Sequence, residues 1–175
     1  MRAVALLRGV NVGGVRFAMV DLRVALEQAG FSAVRTVLAS GNVVLTAEED
    51  DPVAISSRVH AVIRDWFGFD VAVIVASLPV VREAVDEYPF PRADDRHAYV
   101  VFAEDRAALA ELVDSAGELD PAEEQVRHGE DVLYWDVPKG RTLDSRFGKH
   151  FGKRQRSGAV TTRNINTLEK ILAGE

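Results

Sequence analysis

The sequence predicts an α+β protein built from two similar halves, and three observations support this prediction. The chain has 175 residues, of which 47% are hydrophobic and 27% are charged. This composition is typical of a folded protein with one medium domain or two small ones. Short β-rich runs alternate with segments whose apolar residues recur at helical spacing. The order strand, helix, strand, strand, helix, strand occurs twice. The alternative is one larger α+β sheet whose strands happen to follow this order.

The first half begins with the apolar run 2–7, which predicts a buried strand, and a glycine-rich loop follows it. Apolar residues at helical spacing from Met19 predict a helix that stops at Gly30. The β-rich runs 34–39 and 43–46 flank a short connection that contains glycine. Such a connection predicts a hairpin.

The next helix has clear end signals. Asp51 is the predicted N-cap, Pro52 suits the first helical position, and Gly68 ends the helix. The alternation of valines in 70–76 then predicts a strand. The first half is therefore expected to contain four strands and two helices.

The second half repeats this order after a proline-containing linker. Ser77 is expected to begin a short helix that runs to Glu87, and the polar segment 88–95 is the linker. The later predicted elements are a strand at 97–103, part of a helix at 107–113, strands at 124–127 and 132–136, a helix at 142–151 with Leu143 and Phe147 facing inward, a strand at 159–161 and a helix at 166–172.

The repeated order is that of the split β-α-β motif. The predicted fold class is therefore α+β with two ferredoxin-like β-α-β-β-α-β halves, a duplication, followed by a C-terminal helix. Residues 1–78 form the first ferredoxin-like half, 79–96 a helix and linker, and 97–175 the second half with the C-terminal helix. In each half the first strand lies between the third and the fourth.

Composition excludes several functions. The chain has no cysteine, which rules out disulfides, thiolate metal sites and cysteine nucleophiles. The four histidines have no second ligand at helical or strand spacing, so neither a metal site nor a cofactor is predicted. The apolar run 3–7 is too short for a signal peptide, and no run approaches the roughly 20 apolar residues of a membrane span. A cytoplasmic protein without membrane contact is expected.

Six segments stand out as motifs, in order along the whole chain: ALLRGVNVGG (5–14), GFSAVRT (30–36), SGNVV (40–44), FGFD (67–70), YPFP (88–91) and TTRNINT (161–167). Together they resemble one family, the mostly bacterial "domain of unknown function 1697" group. The resemblance implies two ferredoxin-like halves and implies no function. The chain departs from the family pattern at Val15, Ala39 and Ile165, where Lys, Gln and Trp are usual. Arg16 can supply the charge of the missing Lys.

The first candidate site is the glycine-rich loop between the first strand and helix. Its candidate ligand-binding residues are Arg8, Asn11, Gly13 and Gly14. Glycines let backbone N–H groups approach an anion, and the following helix N-terminus favours negative charge. The spacing fits neither common phosphate-binding glycine motif. A tight turn with no ligand is therefore an equal alternative.

The predicted topology brings the hairpin connection close to this loop. Because the third strand starts where the first one finishes, Ser40 and Asn42 are expected near Arg8 and Asn11. Amides, a hydroxyl and a guanidinium suit a polar or anionic ligand. The alternative is that Ser40 and Asn42 serve only their own turn, which we favour for these two residues.

The second candidate site is the polar segment 161–167. Arg163 and Asn164 are predicted to lie outside regular elements, and Asn166 or Thr167 is expected to cap the last helix. Arg163, Asn164 and Asn166 are candidate ligand-binding residues or contacts between the halves.

The third feature is an asymmetry of charge. The formal net charge is −6, but residues 77–138 sum to −11 and residues 139–156 to +6. In one interpretation the basic segment holds nucleic-acid phosphates while Phe147 and Phe151 stack on bases. In the other, which we favour, these rings face the core and the cations are solvated or paired with acidic residues.

The function predicted from these features is the binding of a phosphate-bearing ligand, a nucleotide or a nucleic acid, through the glycine-rich loop and the Asn and Arg motifs. One alternative is an enzyme that acts on a small anionic metabolite in a cleft between the halves. Another is an interaction module whose polar motifs are purely structural. No residue pattern nominates a catalytic group.

Overall fold

The predicted α+β duplication is confirmed. The computed structural model describes residues 1–10, 16–39 and 41–174. The strands are β1 (Arg2–Leu7), β2 (Ser32–Val37), β3 (Asn42–Thr46), β4 (Val73–Ser77), β5 (Arg96–Ala103), β6 (Gln125–His128), β7 (Leu133–Pro138) and β8 (Val160–Asn164). The helices are α1 (Met19–Gln28), α2 (Pro52–Phe67), α3 (Leu78–Asp86), α4 (Arg106–Ala116), α5 (Arg146–Ser157) and α6 (Ile165–Leu172).

The strands form two antiparallel sheets of four, ordered β2-β3-β1-β4 and β6-β7-β5-β8. In each sheet the first strand in the chain lies between the third and the fourth, as predicted. The chain divides into two compact units. Unit 1 comprises Met1–Pro79 together with the residues from Lys170 onward, and unit 2 comprises Val80–Glu169.

Unit 1 packs α1 and α2 against one face of its sheet. Its core contains Leu22 and Leu26 of α1, Ile55 and Ile63 of α2, and Leu7 of β1. The residues predicted to begin and end α2 act as its caps. The Val53 N–H donates to the Asp51 carboxylate at 2.9 Å, and Gly68 ends the helix with φ 73°.

The end of α6 belongs to unit 1, although the sequence places the whole C-terminal helix with the second half. The Arg35 guanidinium donates to the carbonyl oxygen of Ile171 at 2.7 Å. This bond places a positive charge at the C-terminus of α6, where backbone carbonyls lack partners within the helix.

Unit 2 packs α4 and α5 against one face of its sheet. Trp135 of β7 is fully buried, and its ring lies 5.0 Å from that of Phe147 and 5.6 Å from that of Phe151. Ser145 caps the N-terminus of α5, and its hydroxyl accepts from the Gly148 N–H at 3.1 Å. Phe147 therefore faces inward, as predicted.

Two predictions in unit 2 are wrong. Helix α5 starts at Arg146 rather than at 142, because residues 141–144 form turns that lead to the Ser145 cap. Leu143 is consequently 71% exposed and not inward-facing. Strand β8 runs on to Asn164, so Arg163 and Asn164 lie in a strand and not outside regular elements.

Both faces of the central strands are buried in each unit. Val100 and Phe102 of β5 point to one face and Val101 to the other, and all three are buried. The same holds for Leu6 and Leu7 of β1. None of the described helices is both long and apolar enough to cross a lipid bilayer.

Candidate anion-binding site

A cavity of about 430 Å³ lies within unit 2, at one end of its sheet. Its polar lining comprises Arg92 and Asp94 of the linker, Arg96 and His97 of β5, Asp136 of β7, Lys139 of the following turn, Asn164 at the end of β8 and Asn166 at the start of α6. This volume suits a small-molecule ligand.

Strand register explains why these segments meet. Arg96 pairs with Pro138 at the start of β5 and the end of β7. Tyr99 pairs with Asn164 at the end of β8. Because β5 is antiparallel to both neighbours, its first residues lie beside the last residues of the other two strands.

An ion pair forms one wall of the cavity. The Arg96 Nε donates to Asp136 Oδ2, and its Nη2 donates to the Glu123 carbonyl at 3.0 Å. The Asp136 side chain is 4% exposed, and its Oδ1 accepts no hydrogen bond from any residue that the structure describes. A buried carboxylate oxygen without a donor costs free energy. Because protein encloses this oxygen, it is an unsatisfied acceptor inside the wall and not a contact for a ligand.

Two further groups at the cavity differ in charge at neutral pH. Lys139 is exposed, and no described residue pairs with its ammonium. The His97 ring is partly buried and stacks on Tyr99 with 5.0 Å between ring centroids. Burial, and then the nearby charge of Lys139, lower the pKa of His97. An ordinary histidine has a pKa of about 6.5. Because the pKa of His97 is lower, its ring is mainly neutral above that pH.

The N-terminus of α6 completes the lining. The Asn164 Oδ1 accepts from the Asn166 N–H at 3.0 Å. Asn164 therefore caps this helix, rather than Asn166 or Thr167 as predicted. The partial positive charge of the helix end adds to that of the side chains.

The cavity has a positive balance in a chain whose formal net charge is −6. Arg92, Arg96 and Lys139 outnumber Asp94 and Asp136. Arg92 is held by Glu169 at 2.8 Å and Arg96 by Asp136, so Lys139 is the cation most available to a ligand. The arrangement is suited to an anion that also carries hydrogen-bond donors.

The predicted site residues are only partly brought together. Asn164 and Asn166 line the cavity. Arg163 lies on the same strand but is not part of this lining. Its Nη1 donates to Thr161 Oγ1 and to the Thr162 carbonyl, each at 2.9 Å, and burial lowers its pKa to about 10. These bonds hold its side chain against its own strand.

The glycine-rich loop is described in part. Arg8 directly follows β1, and its backbone N–H donates to the Ala72 carbonyl at 3.0 Å. Asn11, Gly13, Gly14 and Ser40 lie outside the described residues, so their predicted roles stay predictions.

Asn42 is fully buried and has a structural role in the hairpin. Its Nδ2 donates to the Val37 carbonyl at 3.0 Å. It pairs with Leu6 of β1, so β3 lies beside β1 as the predicted topology requires. This bond is the local role that we favoured for Asn42.

The basic segment 139–156 separates into core, paired and exposed residues. Phe147 and Phe151 are buried, so neither ring is available to stack on a base. Arg154 pairs with Glu111, Arg141 lies 3.6 Å from Glu123, and the Arg146 Nε donates to the Ala116 carbonyl at 2.8 Å. For these residues the favoured interpretation, inward rings and paired cations, is correct.

Sequence reasoning missed most of the cavity. Arg92, Arg96, His97, Asp136 and Lys139 come from three segments and form no motif. The signal in the sequence that could have found these residues is the predicted strand order. A central strand that begins with Arg96 and His97 must place them beside the ends of both neighbouring strands.

Comparison with solved structures supports the fold. The conserved bacterial protein SP0830 from Streptococcus pneumoniae is 23% identical, with a TM-score of 0.78 over 97% of this chain and 95% of that one. An unknown protein from Galdieria sulphuraria is 14% identical, covers 93% of this chain and 95% of that one, and has a TM-score of only 0.24. No curated protein matches the chain.

A family model matches residues 1–134, which is more than three quarters of the chain. The model belongs to the family described as protein of unknown function (DUF1697). The matched range includes Arg92, Arg96 and His97, whereas Asp136, Lys139 and Asn164 follow it. Five of the six sequence motifs lie within the matched range, and the segment 161–167 follows it. The family resemblance is thus confirmed, and this chain belongs to the DUF1697 family of proteins of unknown function.

Proposed function

We propose that this protein binds a small phosphate-bearing ligand in the cavity of unit 2. The observation that carries the proposal is the meeting of Lys139, Arg92 and Arg96 with the N-terminus of α6 around about 430 Å³. A phosphate group has several acceptor oxygens, so it can accept from an ammonium and a guanidinium together, and the positive end of the helix favours its charge.

The lining also indicates what else the ligand carries. Asp94 is an exposed carboxylate of the lining, and a carboxylate accepts hydrogen bonds only. A nucleotide or a sugar phosphate supplies hydroxyl or amino donors, whereas inorganic phosphate at neutral pH supplies few. We therefore expect the organic phosphates to bind more tightly than phosphate itself. A cytoplasmic location, as expected from the sequence, suits such a ligand.

Both faces of the unit 2 sheet are buried at its centre, which favours a small ligand over RNA bound to an exposed sheet face. Ferredoxin-like RNA-binding domains stack bases on an exposed sheet face that carries aromatic rings. Here Val100, Phe102, Val101 and Trp135 are all buried. Neither face of the unit 2 sheet therefore offers such a platform at its centre.

Lys139→Ala is expected to weaken binding of AMP and ribose 5-phosphate by about tenfold or more, because hydrogen bonds to charged groups contribute about 1.5–3 kcal/mol and about 1.4 kcal/mol is tenfold. Isothermal titration calorimetry with inorganic phosphate, ribose 5-phosphate and AMP measures the effect.

Lys170→Ala is the matched control, since Lys170 is an exposed lysine in the last turn of α6 and does not line the cavity. The control should keep wild-type affinity. Equal loss in both variants, or no binding of any of the three probes by the wild type, would refute the proposal.

Binding in the cavity is expected to be linked to protonation of His97. Burial and Lys139 lower the pKa of His97 in the unliganded protein, and a bound anion would favour the imidazolium and raise it. Affinity should therefore rise as pH falls through the pKa of the complex and level off below the lowered pKa of the unliganded protein. The gain is up to about tenfold for each pH unit by which the ligand raises this pKa.

Sulfate is the probe for this linkage because its own charge stays constant between pH 5 and 8. Affinity is measured across that range for the wild type and for His97→Gln, which keeps a polar side chain that does not titrate. The variant should show a flat profile. A wild-type profile that is equally flat, or one that falls toward low pH, would contradict the linkage.

An enzyme acting on a small anionic metabolite is the second candidate, and His97 favours it. A mainly neutral imidazole held by stacking on Tyr99, inside a cavity suited to phosphate, has the properties of a general base. Turnover of a bound phosphate ester by the wild type, lost in His97→Gln while binding is retained, would distinguish catalysis from binding alone.

A further inference from the structure

We propose that the outer face of α5 is a second binding site, for the phosphate backbone of a double-stranded nucleic acid. Lys149, Lys153 and Arg156 are exposed on this helix. Their spacing of four and then three residues places them on one face. We call these three residues the α5 stripe.

The cations of the stripe lack the ion pairs and hydrogen bonds that engage their basic neighbours on α5 among the described residues. Arg154 pairs with Glu111, and the Arg146 Nε donates to the carbonyl of Ala116. No side chain of the stripe forms an ion pair or a hydrogen bond with any residue that the structure describes. In a chain with 27 acidic and 21 basic residues, acidic partners are abundant. Three unpaired cations in a row therefore form a concentrated positive surface directed at solvent.

The length of the stripe matches a nucleic-acid backbone. A helix rises about 1.5 Å per residue, so the seven steps from Lys149 to Arg156 span about 10 Å. One strand of a duplex advances about 3.4 Å per phosphate along its axis. The stripe therefore covers about three consecutive phosphates, which is one for each cation.

Gly152 is an independent observation at the same place. It lies within α5, three residues after Lys149 and four before Arg156. A glycine inside a helix costs about 0.5–1 kcal/mol relative to alanine. Its backbone is not in the left-handed region, and a Cβ added to it would meet nothing within 4 Å. Neither conformation nor packing requires this glycine, but a bare backbone lets a rigid polyanion approach the helix closely.

The buried rings of α5 favour a duplex over a single strand. Phe147 is fully buried and Phe151 is 2% exposed. Single-strand binding sites combine cations with exposed aromatic rings that stack on bases. The stripe has only the cations, so binding is expected to depend on phosphates and not on sequence.

Fluorescence anisotropy of a labelled RNA duplex of 16 base pairs, titrated with the full chain at 25–200 mM salt, tests the proposal. The logarithm of the binding constant should fall linearly with the logarithm of salt concentration, with a slope of about −2 to −3 for three phosphate contacts. Each single substitution Lys149→Ala, Lys153→Ala or Arg156→Ala should reduce the size of the slope by about 1. The triple variant should lose most of the affinity.

A matched triple variant removes the same charge elsewhere. Arg23, Arg64 and Arg106 are exposed and already engaged with Glu27, Asp65 and Asp131. Replacing these three by alanine should leave duplex binding nearly unchanged. Gly152→Leu should weaken binding while the circular dichroism spectrum stays that of the wild type.

Three results would overturn the proposal. The first is absence of binding at 25 mM salt. The second is equal loss of affinity in the two triple variants. The third is competition by polyglutamate as strong as that by unlabelled duplex, which would assign the stripe to an acidic protein. Because the stripe lies outside the cavity lining, excess AMP should not displace the duplex.

Discussion

Gly148→Ala is expected to destabilise unit 2 severely. A Cβ at this position would lie 1.9 Å from the Thr142 carbonyl oxygen and 2.8 Å from the Ser145 hydroxyl oxygen. The first contact involves backbone and cannot be relieved by rotating a side chain. Overpacking in a core costs about 1–3 kcal/mol and sometimes more, and we place this substitution at the upper end, about 3 kcal/mol.

The thermal effect should be large. For a domain of 60–100 residues, each 1 kcal/mol shifts Tm by about 4–8 °C, so a fall of more than about 10 °C is expected. Calorimetry of the purified variant measures it. The same clash acts on the hydroxyl that caps α5, so the far-ultraviolet dichroism of the variant should also show loss of helix.

Gly152→Ala is the matched control on the same helix. No atom lies within 4 Å of the Cβ that this substitution adds, and alanine has the better helix propensity. We expect a gain of about 0.5–1 kcal/mol, opposite in sign to the effect at Gly148. Similar losses in both variants would show that general helix disruption, and not the contact with Thr142, explains the result.

The fold was predictable because its local signals and its overall topology agree. Asp51, Pro52 and Gly68 mark the ends of α2 in the sequence and act as its caps in the structure. The glycine in the hairpin connection is also required. Gly41 has φ 80°, and a Cβ there would lie 2.9 Å from that of Leu7.

The errors arose where a tertiary contact overrides an apolar pattern. Leu143 and Phe147 are four residues apart, which is the spacing of one helix face. The chain instead turns before Ser145, because Gly148 lies against the Thr142 carbonyl and the serine caps the helix. Likewise, the polar residues at the end of β8 resemble a loop, but pairing with β5 keeps Arg163 and Asn164 in the sheet.

The candidate site was less predictable than the fold because register assembles it. Asn164 and Asn166 stood out as polar residues close together in sequence. Arg96, His97 and Lys139 did not, since each belongs to a different local context and only the antiparallel pairing of β5 with β7 and β8 brings them together. A pocket of this kind is recognised from the pairing of strands. A motif search misses it, because such a search compares only residues that are close together in the sequence.

A buried carboxylate in the core of unit 2 links the sheet to α5. Glu124 is 2% exposed. Its Oε2 accepts from the Trp135 indole N–H at 3.1 Å, and its Oε1 accepts from the backbone N–H of Phe147 at 2.8 Å. One side chain thus satisfies a buried donor of β7 and a donor in the first turn of α5. Trp135 precedes Asp136 of the cavity wall, so Glu124 also fixes the strand that carries this residue.

Glu124→Ala is therefore expected to cost about 3 kcal/mol, because it leaves two buried donors without an acceptor, at about 1–3 kcal/mol each, and removes an anion from a helix N-terminus. Urea unfolding followed by tryptophan fluorescence measures the loss. Glu123→Ala is the control, since Glu123 is exposed and lies 3.6 Å from Arg141; surface substitutions of this kind usually stay within about 0.5 kcal/mol. If the two neighbouring glutamates gave equal losses, Glu124 could not be the acceptor that joins β7 to α5.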